Sequence, residues 1–246
     1  MVKTKKIALI TGANKGLGFE MARQLAQAGI KVILTARDKQ KGEEATSTLL
    51  NDGLDVHFLQ LDVTNTTQIE NVNKYLSTTY GKLDILINNA GMIEGENWGG
   101  NSVETIAIDQ VRNTFDVNFF GLVALTQTLL PLIKKSEAGK IVNMSSILGS
   151  LTLHADQRSP VYNSKPFAYN VTKTALNQFT VHLAHSLRGT KVKVNSAHPG
   201  WVKTDLGTKY APMDVTEGAK TGVALALLPD DGPTGSYQHL GKILPW

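Results

Sequence analysis

Six short apolar runs, separated by segments of helical period, fix what this chain can fold into. KIALIT (6–11), KVILTA (31–36), VHFLQLD (56–62), LDILIN (83–88), KIVNMSS (140–146) and KVKVNSAH (191–198) have strand length and are rich in β-branched residues. Helical periodicity falls between them at 17–28, 39–51, 66–80, 104–133 and 167–188, and again at 216–227. Such alternation predicts an α/β fold, a mostly parallel, doubly wound sheet with helices on both faces. The near-continuous apolar character of the strands fits burial on both sides. No repeat, low-complexity tract or Pro/Gly-rich linker interrupts the alternation, so residues 1–246 are expected to form one domain. Its 41% hydrophobic content is enough for a core. The irregular stretches 92–103, 147–166 and 205–215 are expected as loops around a functional site.

The first strand runs directly into TGANKGLG (11–18), which opens the first helix. Gly12, Gly16 and Gly18 allow a tight turn, close approach of backbone to a pyrophosphate, and packing of helix on sheet. The helix N-terminus offers that anion unpaired N–H groups and a partial positive charge. At the end of the second strand, LTARD supplies Arg37 where an acidic residue would select NAD, and Lys15 and Lys41 are further cations for a ribose 2′-phosphate. The expected cofactor is therefore NADPH.

Composition removes several function classes. Cysteine is absent, which excludes disulfides, zinc–thiolate sites and a cysteine nucleophile, and agrees with a cytoplasmic location. The N-terminal apolar run is too short for a signal peptide, and no stretch is expected to cross a membrane. The formal charge of +4 comes from scattered lysines without interleaved aromatics, so no nucleic-acid partner and no metal site are expected.

The glycine spacing, three intervening residues and then one, resembles the short-chain dehydrogenase/reductase family. The resemblance extends to NNAG (88–91), Asn118 in DVNFFG, Ser146 in IVNMSS, Tyr169 and Lys173 in FAYNVTKTAL, and HPGWVKTDL (198–206). The segments GANKGLG, LTARDKQKGEEA, TLLPLIK and LALLPDDGPTG are similar to the carbonyl reductases of that family. It implies a single Rossmann-type domain, catalysis by Asn118, Ser146, Tyr169 and Lys173, and NADPH-dependent reduction of ketones, aldehydes or quinones. It further implies cofactor contacts at Gly12, Asn14, Lys15, Gly16, Leu17, Gly18, Arg37, Lys41, Asp62, Val63, Asn89, Ala90, Gly91, Tyr169, Lys173, Pro199, Gly200, Val202 and Thr204. Leu148, His154 and Trp201 are candidate substrate-pocket residues, with Leu151 beside them. Ser146 is preferred to Ser145 because neighbouring strand residues face opposite sides and the family places the active serine second in such a pair.

Chemistry agrees with these roles. Carbonyl reduction needs a proton at oxygen, and a phenol with a pKa near 10 becomes a useful acid when a cation one helical turn away stabilises its phenolate. A serine hydroxyl can hold the carbonyl oxygen. In the family Lys173 also holds the nicotinamide ribose and Asn118 anchors a water.

Ser146 and Tyr169 are separated by an insert longer than most of the family carries. Tyr162 also follows the serine, but only Tyr169 has lysine four residues on; Pro166 takes that place after Tyr162. The insert is expected to cover the helix that relatives use for dimerisation, which predicts a monomer, a dimer being the alternative. A 3-oxoacyl thioester reductase shares these residues, and a non-catalytic NADPH-sensing regulator shares the fold. The sensor has no use for all four catalytic residues.

Overall fold

The computed structural model describes residues 5–96, 98 and 103–246. Its strands are β1 (Ile7–Ile10), β2 (Lys31–Ala36), β3 (Val56–Gln60), β4 (Ile85–Asn88), β5 (Lys140–Met144), β6 (Lys193–Ala197), β7 (Tyr237–His239) and β8 (Lys242–Ile243). They form one sheet in the order β3-β2-β1-β4-β5-β6-β7-β8, parallel up to β7 and antiparallel at β8. The order reverses between β1 and β4, opening a crevice at the carboxyl ends of the strands where ligands of such sheets bind.

Helices α1 (Gly16–Gln27), α2 (Lys39–Asn51) and α3 (Thr66–Thr79) cross between the first four strands, and α4 (Ile108–Phe115), α5 (Leu122–Lys134), α6 (Leu151–Ala155), α7 (Phe167–Ser186) and α8 (Val215–Ala226) follow. One face of the sheet packs through Ile10, Met21, Leu25, Leu34, Ile85 and Met144. The other packs through Leu9, Ile33, Leu76, Leu86, Leu125 and Val194.

Four details depart from the sequence expectation. The helix foreseen at 104–133 begins at Ile108, and a π-helical turn over Asp116–Gly121 joins α4 to α5. The insert 147–166, expected to be irregular, carries a 3₁₀ turn, Ile147–Gly149, and the short α6, whose first turn is capped by Ser150 accepting the Leu153 N–H at 3.2 Å. Strands β7 and β8 were not foreseen. Finally, the continuous helix Ile108–Lys134 is long and apolar enough by length and composition to cross a membrane, against the expectation that no stretch would be. Its Leu122, Leu125, Leu129, Leu132 and Ile133 are buried, and it packs on α3 and β4 as a core helix. Of the loop 92–103, positions 97 and 99–102 lie outside the described residues.

Candidate active site

Beyond β5 the alternation of side chains sends two serines to different places. Ser145 donates to Asn177 Oδ1 of α7 at 2.7 Å, whereas the Ser146 hydroxyl accepts the Leu148 N–H at 3.2 Å and lies beside the Tyr169 phenol. Tyr169 lies in the first turn of α7. One turn on, the buried Lys173 places Nζ 5.5 Å from the Tyr169 ring centroid and donates to the Met144 carbonyl at 2.9 Å. Asn118 is fully buried in the π turn, a local widening often found at functional sites. Its Oδ1 accepts the Met92 N–H and its Nδ2 donates to the Met92 carbonyl, each at 2.8 Å, and Nδ2 also reaches Thr172 Oγ1 at 3.1 Å. The four residues thus converge from β5, α7 and the π turn. Tyr162 stays in the insert, its ring under Lys165 Nζ.

Burial pushes the Tyr169 phenol up to about 12, against the downward pull of the Ser146 hydrogen bond, and pushes Lys173 down to about 8. Sequence reasoning has the lysine drawing the phenol toward neutrality. The net direction is the reverse, because loss of solvent outweighs the downward pull of Ser146.

The crevice beside these residues has the shape of a dinucleotide cradle. Gly12 and Gly16 adopt φ of +61° and +57°. A Cβ on Gly12 would lie 3.1 Å from Ala90 Cα, and one on Gly18 would lie 2.5 Å from both Asn89 Nδ2 and the Gly12 carbonyl oxygen. Asn89 locks the turn by donating to the carbonyls of Thr11 and Gly12 at 2.9 and 3.1 Å. Thr11 Oγ1 accepts the Asn89 and Ala90 amides, each at 2.9 Å. Helix α1 opens at Lys15 without a side-chain cap, so its first N–H groups are available to an anion. Gly91 faces Asn118 and Lys173: a Cβ there would stand 3.4 Å from Asn118 Oδ1 and 3.6 Å from Lys173 Nζ. These features fit a nicotinamide dinucleotide.

At the adenosine end, Asn14, Lys15, Lys41, Glu44 and Thr48 line a surface pocket of about 430 Å³. Lys15 pairs with Asp205 and Lys41 with Asp38, at 3.8 Å in the second case. Asp38 caps α2 by accepting the Lys41 N–H at 3.1 Å, which gives that carboxylate a structural use. Arg37 is exposed just past β2, and Asp62 accepts from the Thr64 amide and hydroxyl. Val63 is buried against the π turn, its carbonyl 2.5 Å from where a Gly121 Cβ would stand. Leu17 packs near Gly218, while Val202 is buried and Thr204 Cγ2 lies 3.4 Å from a Cβ built on Gly16. After Pro199, Gly200 holds φ +94° with Met213 and His239 packed against it.

On the substrate side Leu148 is buried beside Ser146, and Trp201 is exposed, its indole donating to the Gly207 carbonyl. Leu151 is exposed. His154 belongs to the bonding of the insert: Nε2 donates to the Leu148 carbonyl and Nδ1 accepts from Lys165, both at 3.0 Å. The insert packs on α7, with Gly149 against Lys173, and leaves Phe120 of the π turn and Val181 of α7 exposed rather than covered.

Sequence reasoning missed three side chains here. Glu96 caps α7, its two carboxylate oxygens accepting the Ala168 and Tyr169 amides at 3.1 and 3.2 Å. Trp98 meets the Tyr169 ring edge-on at 5.3 Å and donates from Nε1 to the Leu206 carbonyl at 3.0 Å. His198 accepts the Ile147 N–H at Nδ1, 3.2 Å away. Each acts across long sequence separations, where no spacing pattern marks it.

Comparison with known proteins gives concordant results. The profile of the short chain dehydrogenases matches residues 6–214. The chain is 34% identical to carbonyl reductase [NADPH] 1 of Mus musculus over 284 positions, covering all of both chains. It is 33% identical to (+)-neomenthol dehydrogenase of Arabidopsis thaliana, covering 96% of each. The solved structure of salutaridine reductase from Papaver somniferum superposes with a TM-score of 0.81 at 31% identity, covering 95% of this chain and 99% of that one.

Proposed function

Because the chain belongs to the short chain dehydrogenase family, whose members here are oxidoreductases of carbonyl and CH–OH groups, we propose that it is an NADPH-dependent carbonyl reductase in which Tyr169 donates the proton. The substrates are small ketones, aldehydes or quinones, and the protein is cytoplasmic and a monomer, a dimer through the exposed Phe120 and Val181 being the alternative. The observation that carries this reading is the buried Tyr169 beside the Ser146 hydroxyl, with Lys173 Nζ 5.5 Å from the Tyr169 ring centroid.

The Ser146 hydroxyl is placed to hold a carbonyl oxygen beside the Tyr169 phenol. Tyr169 then protonates that oxygen, and the neighbouring ammonium of Lys173 stabilises the phenolate left behind. Asn118 keeps the chain after β4 and the Thr172 end of α7 in fixed relation, so that Gly91 and Lys173 border one space. Bound in the cradle, NADPH supplies the hydride. Gly12, Gly16, Gly18 and the N-terminus of α1 would hold its pyrophosphate, and Lys15, Arg37 and Lys41 its 2′-phosphate. The match to NADPH-named carbonyl reductase supports this cofactor preference.

Titrating cofactor fluorescence tests the preference. NADPH should bind at least about tenfold more tightly than NADH, and Arg37→Ala with Lys15→Ala should erase the difference. Equal affinities in the unmodified protein contradict it.

A further inference from the structure

We propose that His198 is a positioning residue for Ser146, acting through the Ile147 amide that its ring nitrogen holds; the inference rests on the reductase reading of that serine. His198 is the first residue beyond β6 and is buried, directly before Pro199 and Gly200. Its Nδ1 lies 3.2 Å from the Ile147 nitrogen. A backbone amide only donates, so Nδ1 is the acceptor and the ring proton sits on Nε2.

The backbone that carries the ring is itself held. The His198 backbone N–H donates to the Gln238 carbonyl at 2.8 Å, and the His198 backbone carbonyl accepts from His239 Nδ1 at 2.9 Å. The two rings pack with centroids 4.9 Å apart, and His239 Cε1 lies against Gly200. Burial, followed by the neighbouring His239, holds the His198 imidazole down at about 3, so the Nδ1 lone pair is present at any working pH.

The peptide that His198 fixes joins Ser146 to Ile147. Its orientation sets the Ser146 backbone, and with it the direction of a hydroxyl that already accepts the Leu148 N–H and faces Tyr169. Without an acceptor, the Ile147 N–H loses its partner in a partly buried place, and the peptide can turn. The same contact links the end of β6 to the peptide that follows Ser146.

Three substitutions separate positioning from simple packing. Asparagine puts its side-chain oxygen near the place of Nδ1, glutamine puts it near that of Nε2, and leucine supplies bulk alone. His198→Asn should keep kcat within about threefold of the unmodified protein, and His198→Gln and His198→Leu should lower it about tenfold, with NADPH affinity unchanged. If all three behave alike, or the loss appears in NADPH binding, the inference is overturned. The Asn and Gln pair decides the matter even if the leucine variant does not fold. A readout independent of turnover is the histidine ring tautomer by ¹⁵N NMR. A bare Nδ1 on His198 supports the hold on Ile147, and a protonated Nδ1 overturns it. Absence of any carbonyl turnover in the unmodified protein, with that bare Nδ1 observed, defeats the reductase reading and leaves the contact standing.

Discussion

Tyr169 and Lys173 are buried together, and burial moves them in opposite directions: the phenol up to about 12 and the ammonium down to about 8. The phenol therefore stays protonated through the working range, as a proton donor must. The ammonium is charged below its pKa and neutral above it, so it can stabilise the developing phenolate only on the acid side. Reduction is expected to hold its rate below about pH 8 and to fall as pH rises through that value, and Lys173→Met should lower the rate and flatten the profile. A pH series of kcat at saturating cofactor checks this, and a rate unchanged from neutrality to well above pH 8 contradicts it. At this scale the sequence disclosed the residues that lie in short spacings: the glycines of the first turn, the serine pair, and tyrosine with lysine four residues on. It concealed Glu96, Trp98 and His198, whose meaning lies wholly in partners brought close by folding. It also misjudged the direction of the Tyr169 shift, because desolvation is a property of the packed interior.

Helix α7 carries both of those residues, yet its N-cap position is Pro166, which provides no capping side chain. Glu96 supplies the cap from the loop after β4, and one of the amides it accepts is that of Tyr169 itself. Glu96→Ala should cost about 1 kcal/mol, a fall of roughly 2–4 °C in Tm, and should lower kcat more than it raises KM. Glu96→Gln, which keeps an acceptor oxygen, should recover most of both. Unaltered melting and kinetics in the alanine variant would remove this role. The first six strands were legible because apolar runs rich in β-branched residues can hardly be anything else in an alternating chain. Strands β7 and β8, three and two residues long, are too short to show a period; β7 depends on β6 for its pairing and β8 on β7. The π turn escaped for a different reason. It adds no distinct residue pattern to a continuous helix, although Gly121, where a Cβ would collide with the Val63 carbonyl, was a visible trace of close packing.

Over the whole molecule, the strand order reverses at β1 and β4, and much of the proposed site follows the carboxyl ends of those strands and of β5 and β6, with Tyr169 and Lys173 brought in by α7 and Asn118 by the π turn. The glycine turn follows β1, the Asn-Asn-Ala-Gly corner follows β4, Ser146 follows β5, and His198 with Pro199 and Gly200 follows β6. We propose that the loops around 147–166 and 205–215 set substrate preference; they follow no fold-wide rule, so the sequence could name the reaction class but not the preferred carbonyl. The central claim is that Tyr169 is the proton donor of an NADPH-dependent reductase. Its most direct measurement is the loss of NADPH absorbance with a panel of ketones, aldehydes, quinones and a 3-oxoacyl thioester, run on the unmodified protein and on Tyr169→Phe. The account predicts turnover of ketones, aldehydes or quinones that falls by at least about a hundredfold in the phenylalanine variant, while NADPH still binds. Turnover that survives the substitution, or tight NADPH binding with no turnover of any panel member, would contradict it.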